Sequence, residues 1–220
     1  MQKLPDEFVG ALQRRLNGII DKIENGGLDY QRTLNALQLV SDGKIQMSQP
    51  TPPTSPLLLD FVQIVIVPAT TEKFVAGRNF LLKQDGGICS YLWDNFKSWF
   101  LEGDGKVEEP HAEAVLRCHK LRKNSVDTPL IAELGGEKVA ETTLTEMFSL
   151  LQKQANGEKE ILLTNGYANI FYVRDQSGVL RAVYAGWNDD GWYVHAFEVS
   201  YPSAWGAGSQ VFSRNPSATL

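Results

Sequence analysis

The sequence is poor in the residues that most reactions and cofactors need. It has two cysteines, Cys89 and Cys118, and three histidines in 220 residues. Two cysteines exclude a disulfide scaffold and leave either a reducing compartment or a single bridge. Cys118 and His119 are adjacent, so in a strand they point to opposite faces and cannot share one ion. With no C-x-x-C or H-x-x-x-H pair besides, neither a metal site nor a cofactor is expected. A G-x-S-x-G elbow and the phosphate-cradling glycine loops are also missing; Gly206-Ala207-Gly208-Ser209 lacks the strand-to-helix setting that exposes a nucleophile. A Cys118–His195 or Cys89–His119 dyad stays open on residue type alone, so no catalytic residue is assigned. The acid pairs Glu108-Glu109 and Asp189-Asp190 fall in expected loops and read as solvated turn charges. No apolar run approaches the roughly 18 residues of a membrane span. The N-terminus lacks the apolar core of a signal peptide, which makes the cytoplasm the expected location. A formal net charge of −5 argues against a general nucleic-acid binder.

What the chain does have is organised in three parts. Residues 1–45 are expected to form a helical hairpin. Phe8, Val9, Leu12, Leu16, Ile19, Ile20 and Ile23 make one apolar stripe, Asn25-Gly26-Gly27 stops the first helix, and Tyr30, Leu34, Leu37 and Val40 mark a second. Residues 46–56 hold Pro50, Pro52, Pro53 and Pro56 and form a semi-rigid spacer. Residues 57–220 are expected to form an α+β domain built on an antiparallel meander.

The meander is the clearest signal. Tyr167 to Arg174 has apolar residues in both alternating sets, as a central strand covered on two faces would. Asp175-Gln176-Ser177-Gly178 makes a turn, Val179 to Trp187 returns, Asn188-Asp189-Asp190-Gly191 turns again, and Trp192 to Val199 is the third strand. In that strand Tyr193, His195, Phe197 and Val199 oppose Trp192, Val194, Ala196 and Glu198, and Gln210 to Ser213 adds a short last strand. Upstream, Leu57 to Val67 suits a buried strand, Phe74 to Lys83 a short one, and Val115 to Lys123 an exposed one. Pro129 to Leu134 is expected to pair nearby, and Asp94 to Leu101 to make one or two helical turns. Thr143-Leu144-Thr145-Glu146 is a capping box that starts the one long helix of this domain.

Two constellations are candidate sites. Trp187 and Trp192 bracket the second turn and are expected as cross-strand neighbours; with Asp189, Asp190, His195 and Trp205 they would make a stacking platform with polar arms for a sugar or other small ligand. Packed inward, the same aromatics are simply core. The basic run Arg117, Lys120, Arg122 and Lys123 is the one candidate for phosphate contact, weighed against charges that guard a sheet edge.

The phrases DNFKSWFL (Asp94–Leu101), SVDTPLIAELGG (Ser125–Gly136), NGYANIFYVRD (Asn165–Asp175), GWYVHAF (Gly191–Phe197) and QVFSRN (Gln210–Asn215) resemble those of uncharacterised bacterial proteins, including ones from small-genome candidate lineages. The resemblance implies a bacterial cytoplasmic protein and transfers no activity or site. On residues alone, the leading expectation is a non-enzymatic protein that binds a protein partner, or a second copy of itself, through residues 1–45. A small-ligand or carbohydrate-acting enzyme at the Trp187–Trp192 turn, and nucleic-acid binding over 117–123, are the alternatives.

Overall fold

Period-two alternation carries the centre of the molecule. In the computed structural model, which describes residues 57–215 together with Ile20 and Ile23, the elements run as follows. They are β1 (Leu59–Val67), β2 (Phe74–Val75), α1 (Ala76–Asn79), β3 (Cys89–Leu92), α2 (Asp94–Phe96, continuing as a π turn through Lys97–Leu101) and β4 (Val107–Glu108). Then come β5 (Ala114–Leu121), α3 (Asp127–Leu134), α4 (Glu137–Ala140), β6 (Glu141–Thr142), α5 (Leu144–Lys153), β7 (Asn169–Arg174), β8 (Leu180–Asn188), β9 (Gly191–Glu198) and β10 (Gln210–Arg214). Apart from Ile20 and Ile23, the expected hairpin over 1–45 and the spacer over 46–56 lie outside the described residues.

The described part is an α+β fold whose large sheet is mostly antiparallel. Its order is β1-β5-β10-β7-β8-β9-β3, with β6 pairing β7 off that path. The β7–β8–β9 meander holds the centre, its turns where the Asp175–Gly178 and Asn188–Gly191 residues allow them. β10 inserts between β5 and β7, antiparallel to the first and parallel to the second.

Each face of the sheet packs a separate core. On the first face, α5 lays Leu144, Met147, Leu150 and Leu151 over Phe171, Val183, Val194, Phe212 and Cys118, with Phe96 and Phe100 alongside. Burying each such side chain contributes roughly 1.5–3 kcal/mol, which is what holds a ten-residue helix that would be marginal alone. The capping box is formed: the Thr143 hydroxyl accepts from Glu146 N–H at 3.1 Å, and the Glu146 carboxylate accepts from Thr143 N–H at 2.8 Å. Glu108 adds a second anchor, accepting from the backbone of Leu144 at 3.1 Å and Thr145 at 2.8 Å. A carboxylate there meets the positive end of the helix dipole. Glu108 is thus no solvated turn charge, whereas Glu109 is exposed and pairs with Lys73.

On the second face, Leu130 and Ile131 of α3 and Ala140 of α4 cover Ile170, Tyr172, Ala182, Val211 and Leu121. Four expectations are corrected here. Residues 129–134 are helical, because Pro129 falls in the first turn, where a missing N–H costs nothing, and Gly135 (φ 109°) closes the end. β1 is an edge strand, with Phe61, Val62, Ile64 and Ile66 exposed, since it pairs with β5 alone. β5 is an interior strand between β1 and β10 rather than an exposed one. Only Phe74 and Val75 of the segment 74–83 form a strand. Among the described residues no helix is long and apolar enough to cross a membrane.

Candidate functional site

On the second face the core under α3 and α4 extends to Leu180 and Ala182 of β8, and the cavity lies beyond it. There the side chains pointing outward are Tyr184 on β8 and Tyr193, His195 and Phe197 on β9, and it is loops that close over them. The loop after β9 contributes Tyr201 and Trp205. Its position is fixed by a two-way backbone bridge, Ser125 N–H to the Trp205 carbonyl at 3.2 Å and Trp205 N–H to the Ser125 carbonyl at 2.8 Å. The loop before β7 contributes Tyr167. Together they enclose a cavity of about 370 Å³, walled by Tyr167, Tyr184, Tyr193, Phe197, Tyr201 and Trp205.

Two glycines make room for these walls. Gly186 lies directly across the strand pair from Tyr193, and a Cβ there would stand 2.2 Å from the phenol oxygen. Gly208 (φ 98°) turns the chain beneath Tyr167, and a Cβ there would stand 3.0 Å from that ring. The rings cross at steep angles: Tyr184 meets Tyr193 at 85° and Trp205 at 70°, while Tyr184 and Phe197 are parallel at 6.0 Å between centroids. Edge-to-face and offset geometries are those aromatic quadrupoles favour.

One carboxyl reaches this apolar chamber. Asp127, at the first helical position of α3, is 1% exposed. Its Oδ1 accepts from the Tyr172 hydroxyl at 2.8 Å and from Trp205 Nε1 at 2.7 Å, so both protein donors fall on one oxygen while the side chain lines the cavity. Burial pushes the Asp127 carboxyl above the ordinary carboxylate range, and the Trp205 and Tyr172 donors offset only part of that rise. The same burial, aided by the nearby Tyr193, lifts the Tyr184 phenol to about 12. His195 stands beside the cavity with its ring 4.1 Å from Phe197 and 4.9 Å from Trp93. Burial lowers its pKa, and its Nδ1 is enclosed without a protein partner.

The chain matches no family model, no curated protein and no solved structure.

The residues singled out in the sequence are divided between the two faces. Trp187 and Trp192 are the expected cross-strand pair, 5.2 Å apart at 75°, and they belong to the first-face core. Trp192 is fully buried and its Nε1 donates to the Gln154 carbonyl at 3.0 Å. Asp189 and Asp190 sit on the turn beside Lys83, Gln84, Ser90 and Tyr91. His195 and Trp205 are on the second face, Trp205 lining the aromatic cavity and His195 standing beside it. Of the basic run, Arg117 lays its guanidinium 5.0 Å from the centre of the Phe61 ring, and Lys120, three residues on, leaves from the opposite face. Arg122 lies 3.5 Å from Asp60, and Lys123 follows the end of β5.

Cys89 and Cys118 are both free and buried, with burial pushing each thiol up to about 12. Among the described residues no group of three or more His, Cys, Asp or Glu is placed to hold a metal ion. Sequence reasoning passed over Asp127. Its signal was local and present: Asp127-Thr128-Pro129 is an acid followed by a first-turn proline, a helix start.

Proposed function

We propose that this protein binds a small organic ligand in the aromatic cavity on the second face, as a binding protein and not as a catalyst. One observation carries the proposal: six aromatic side chains and a single buried carboxyl converge on one cavity of about 370 Å³. That volume lies in the range of small-molecule sites, and a mostly apolar wall with few polar groups is their usual chemistry. The two glycine clearances support it further, since Gly186 and Gly208 leave space for rings that line the chamber. Binding is favoured over turnover because, among the described residues, Asp127 is the one acid that lines the cavity and no histidine, lysine or cysteine joins it there. Acid–base work on a bound substrate ordinarily needs a second group of complementary role.

The test is ligand-observed NMR on the full chain with a library of small ring-bearing compounds. Tyr201, 45% exposed on the cavity's loop, is replaced by alanine in one variant, and Tyr91, equally exposed but outside the cavity, in another. Compounds bound by the wild type should be released by Tyr201→Ala and kept by Tyr91→Ala. Hits that survive Tyr201→Ala unchanged would place ligand binding elsewhere.

A further inference from the structure

We infer that the ligand of this cavity is an organic ammonium ion, a positively charged nitrogen carried on an apolar or ring-shaped body. The inference rests on the cavity being a ligand site, and it comes from a comparison among the buried acids. Three carboxylates are at most 5% exposed among the described residues: Asp127, Glu146 and Asp175. Two of them have a cation. Asp175 takes Arg181 Nε at 2.8 Å, and Glu146 pairs with Arg214 Nη1. Asp127 has none among the described residues; its partners there are a phenol and an indole, both neutral. A buried carboxylate without a positive partner is costly unless something else supplies the charge.

The cavity beside Asp127 is built to accept that charge. Among the described residues no lysine or arginine lines it, so none of them competes for the position. Its walls are Tyr, Trp and Phe rings, whose negative faces attract a cation within about 6 Å of the ring centre. Steeply crossed rings, as at Tyr184–Tyr193 and Tyr184–Trp205, present faces from more than one direction, which a round ammonium head uses better than a flat neutral ring. An inorganic divalent ion fits poorly, because it needs six or more oxygen ligands and the wall offers one carboxyl among aromatics. A neutral sugar also fits less well: its many hydroxyls want many polar arms, and the polar side chains of the wall are Asp127, Ser203, Ser209 and the phenol hydroxyls.

The experiment is isothermal titration of the full chain with choline and benzyltrimethylammonium, beside dimethylbutanol, the neutral carbon isostere of choline. The cations should bind, and dimethylbutanol should bind at least about tenfold more weakly than choline. Asp127→Asn keeps an acceptor for Tyr172 and Trp205 but removes the charge, and should bring choline and its isostere to within a factor of about two. The comparison on wild-type protein needs no variant, so misfolding of Asp127→Asn cannot hide the answer. Equal binding of choline and dimethylbutanol would overturn the charge assignment while leaving the cavity a ligand site. Failure of both cations, with neutral ring compounds still bound and released by Tyr201→Ala, would overturn it in the same way. An absence of binding across both panels would remove the ligand site as well.

Discussion

Replacing Gly186 by alanine should change the stability of this protein in opposite directions depending on what stands at position 193. In the wild-type structure a Cβ at 186 meets Cζ and Oη of Tyr193 at 2.2 Å, more than an ångström inside ordinary contact. The ring must swing off its seat, at a cost of about 1–2 kcal/mol by the usual penalties for displaced rotamers and overpacking. Against this, alanine restricts the unfolded chain and returns about 0.4–1 kcal/mol, since Gly186 does not need a positive φ. The net should be a loss of about 1 kcal/mol, or roughly 2–4 °C in Tm for a chain of this size. In a Tyr193→Ala background the clash is gone and only the unfolded-state term remains, so Gly186→Ala should stabilise by about 0.4–1 kcal/mol. Urea denaturation of the four proteins closes the cycle, with a coupling on the order of 1.5–2 kcal/mol. An effect of the same sign in both backgrounds would refute the idea that Gly186 exists to seat Tyr193. Because Tyr193 lines the cavity, moving its ring in the Gly186→Ala protein should also weaken ligand binding.

The remaining expectations need simpler assays. Cys89 and Cys118, buried thiols pushed up to about 12, should be silent to a thiol-titrating disulfide reagent at neutral pH and react together once urea unfolds the chain; rapid reaction of either in the native protein would contradict their burial. Glu108→Ala removes the acceptor for two N–H groups at the start of α5 and should cost about 1–2 kcal/mol, read from the urea midpoint. The two cavity-face and turn aspartates should give opposite pH profiles. Asp127 is raised above the ordinary 3.8 by burial, so its contribution to stability is full below that pH and declines as pH rises through the folded value. Asp175 is lowered: burial opposes its charge, but Arg181, Val179 and Ser177 together outweigh that, so its contribution is full above 3.8 and is lost as pH falls through the folded value. Urea midpoints followed from about pH 3 to pH 7 should show Asp127→Asn flattening the alkaline decline and Asp175→Asn the acid one; swapped effects would reverse the assignment.

The meander and α5 were legible because their signals are local. Alternation fixes strand faces residue by residue, and the Thr143–Glu146 capping box needs only four positions. Residues 129–134 were misjudged because a run of six with a proline has too little length to separate helix from strand, and the first-turn tolerance for proline decides it. The exposure of Phe61, Ile64 and Ile66 was hidden for another reason. An apolar run looks buried in sequence, and only the strand order shows that β1 has one neighbour. At the site, the parity that sets His195 against Trp192 was readable in β9, yet the two were grouped because both lie near one turn. Asp127 joins Trp205 across 78 residues of chain, a contact that no local pattern announces.

The insertion of β10 between β5 and β7 has a consequence for how the protein is made. A ribosome delivers the chain in order, and β5 is complete at Leu121 while its inner neighbour begins only at Gln210. At ordinary elongation speeds of about 5–20 residues per second the intervening stretch takes about 5–20 s, far longer than a hairpin needs to form. For that interval β5 can pair with β1 but its inner edge stays open. Arg117 and Lys120, which have no edge to guard in the finished sheet, are the kind of charges that keep such a strand from pairing with a neighbouring nascent chain. Chains stalled before residue 210 should therefore aggregate faster when Arg117 and Lys120 are replaced by threonine, and full-length chains should not; equal aggregation of the stalled forms would detach those charges from synthesis.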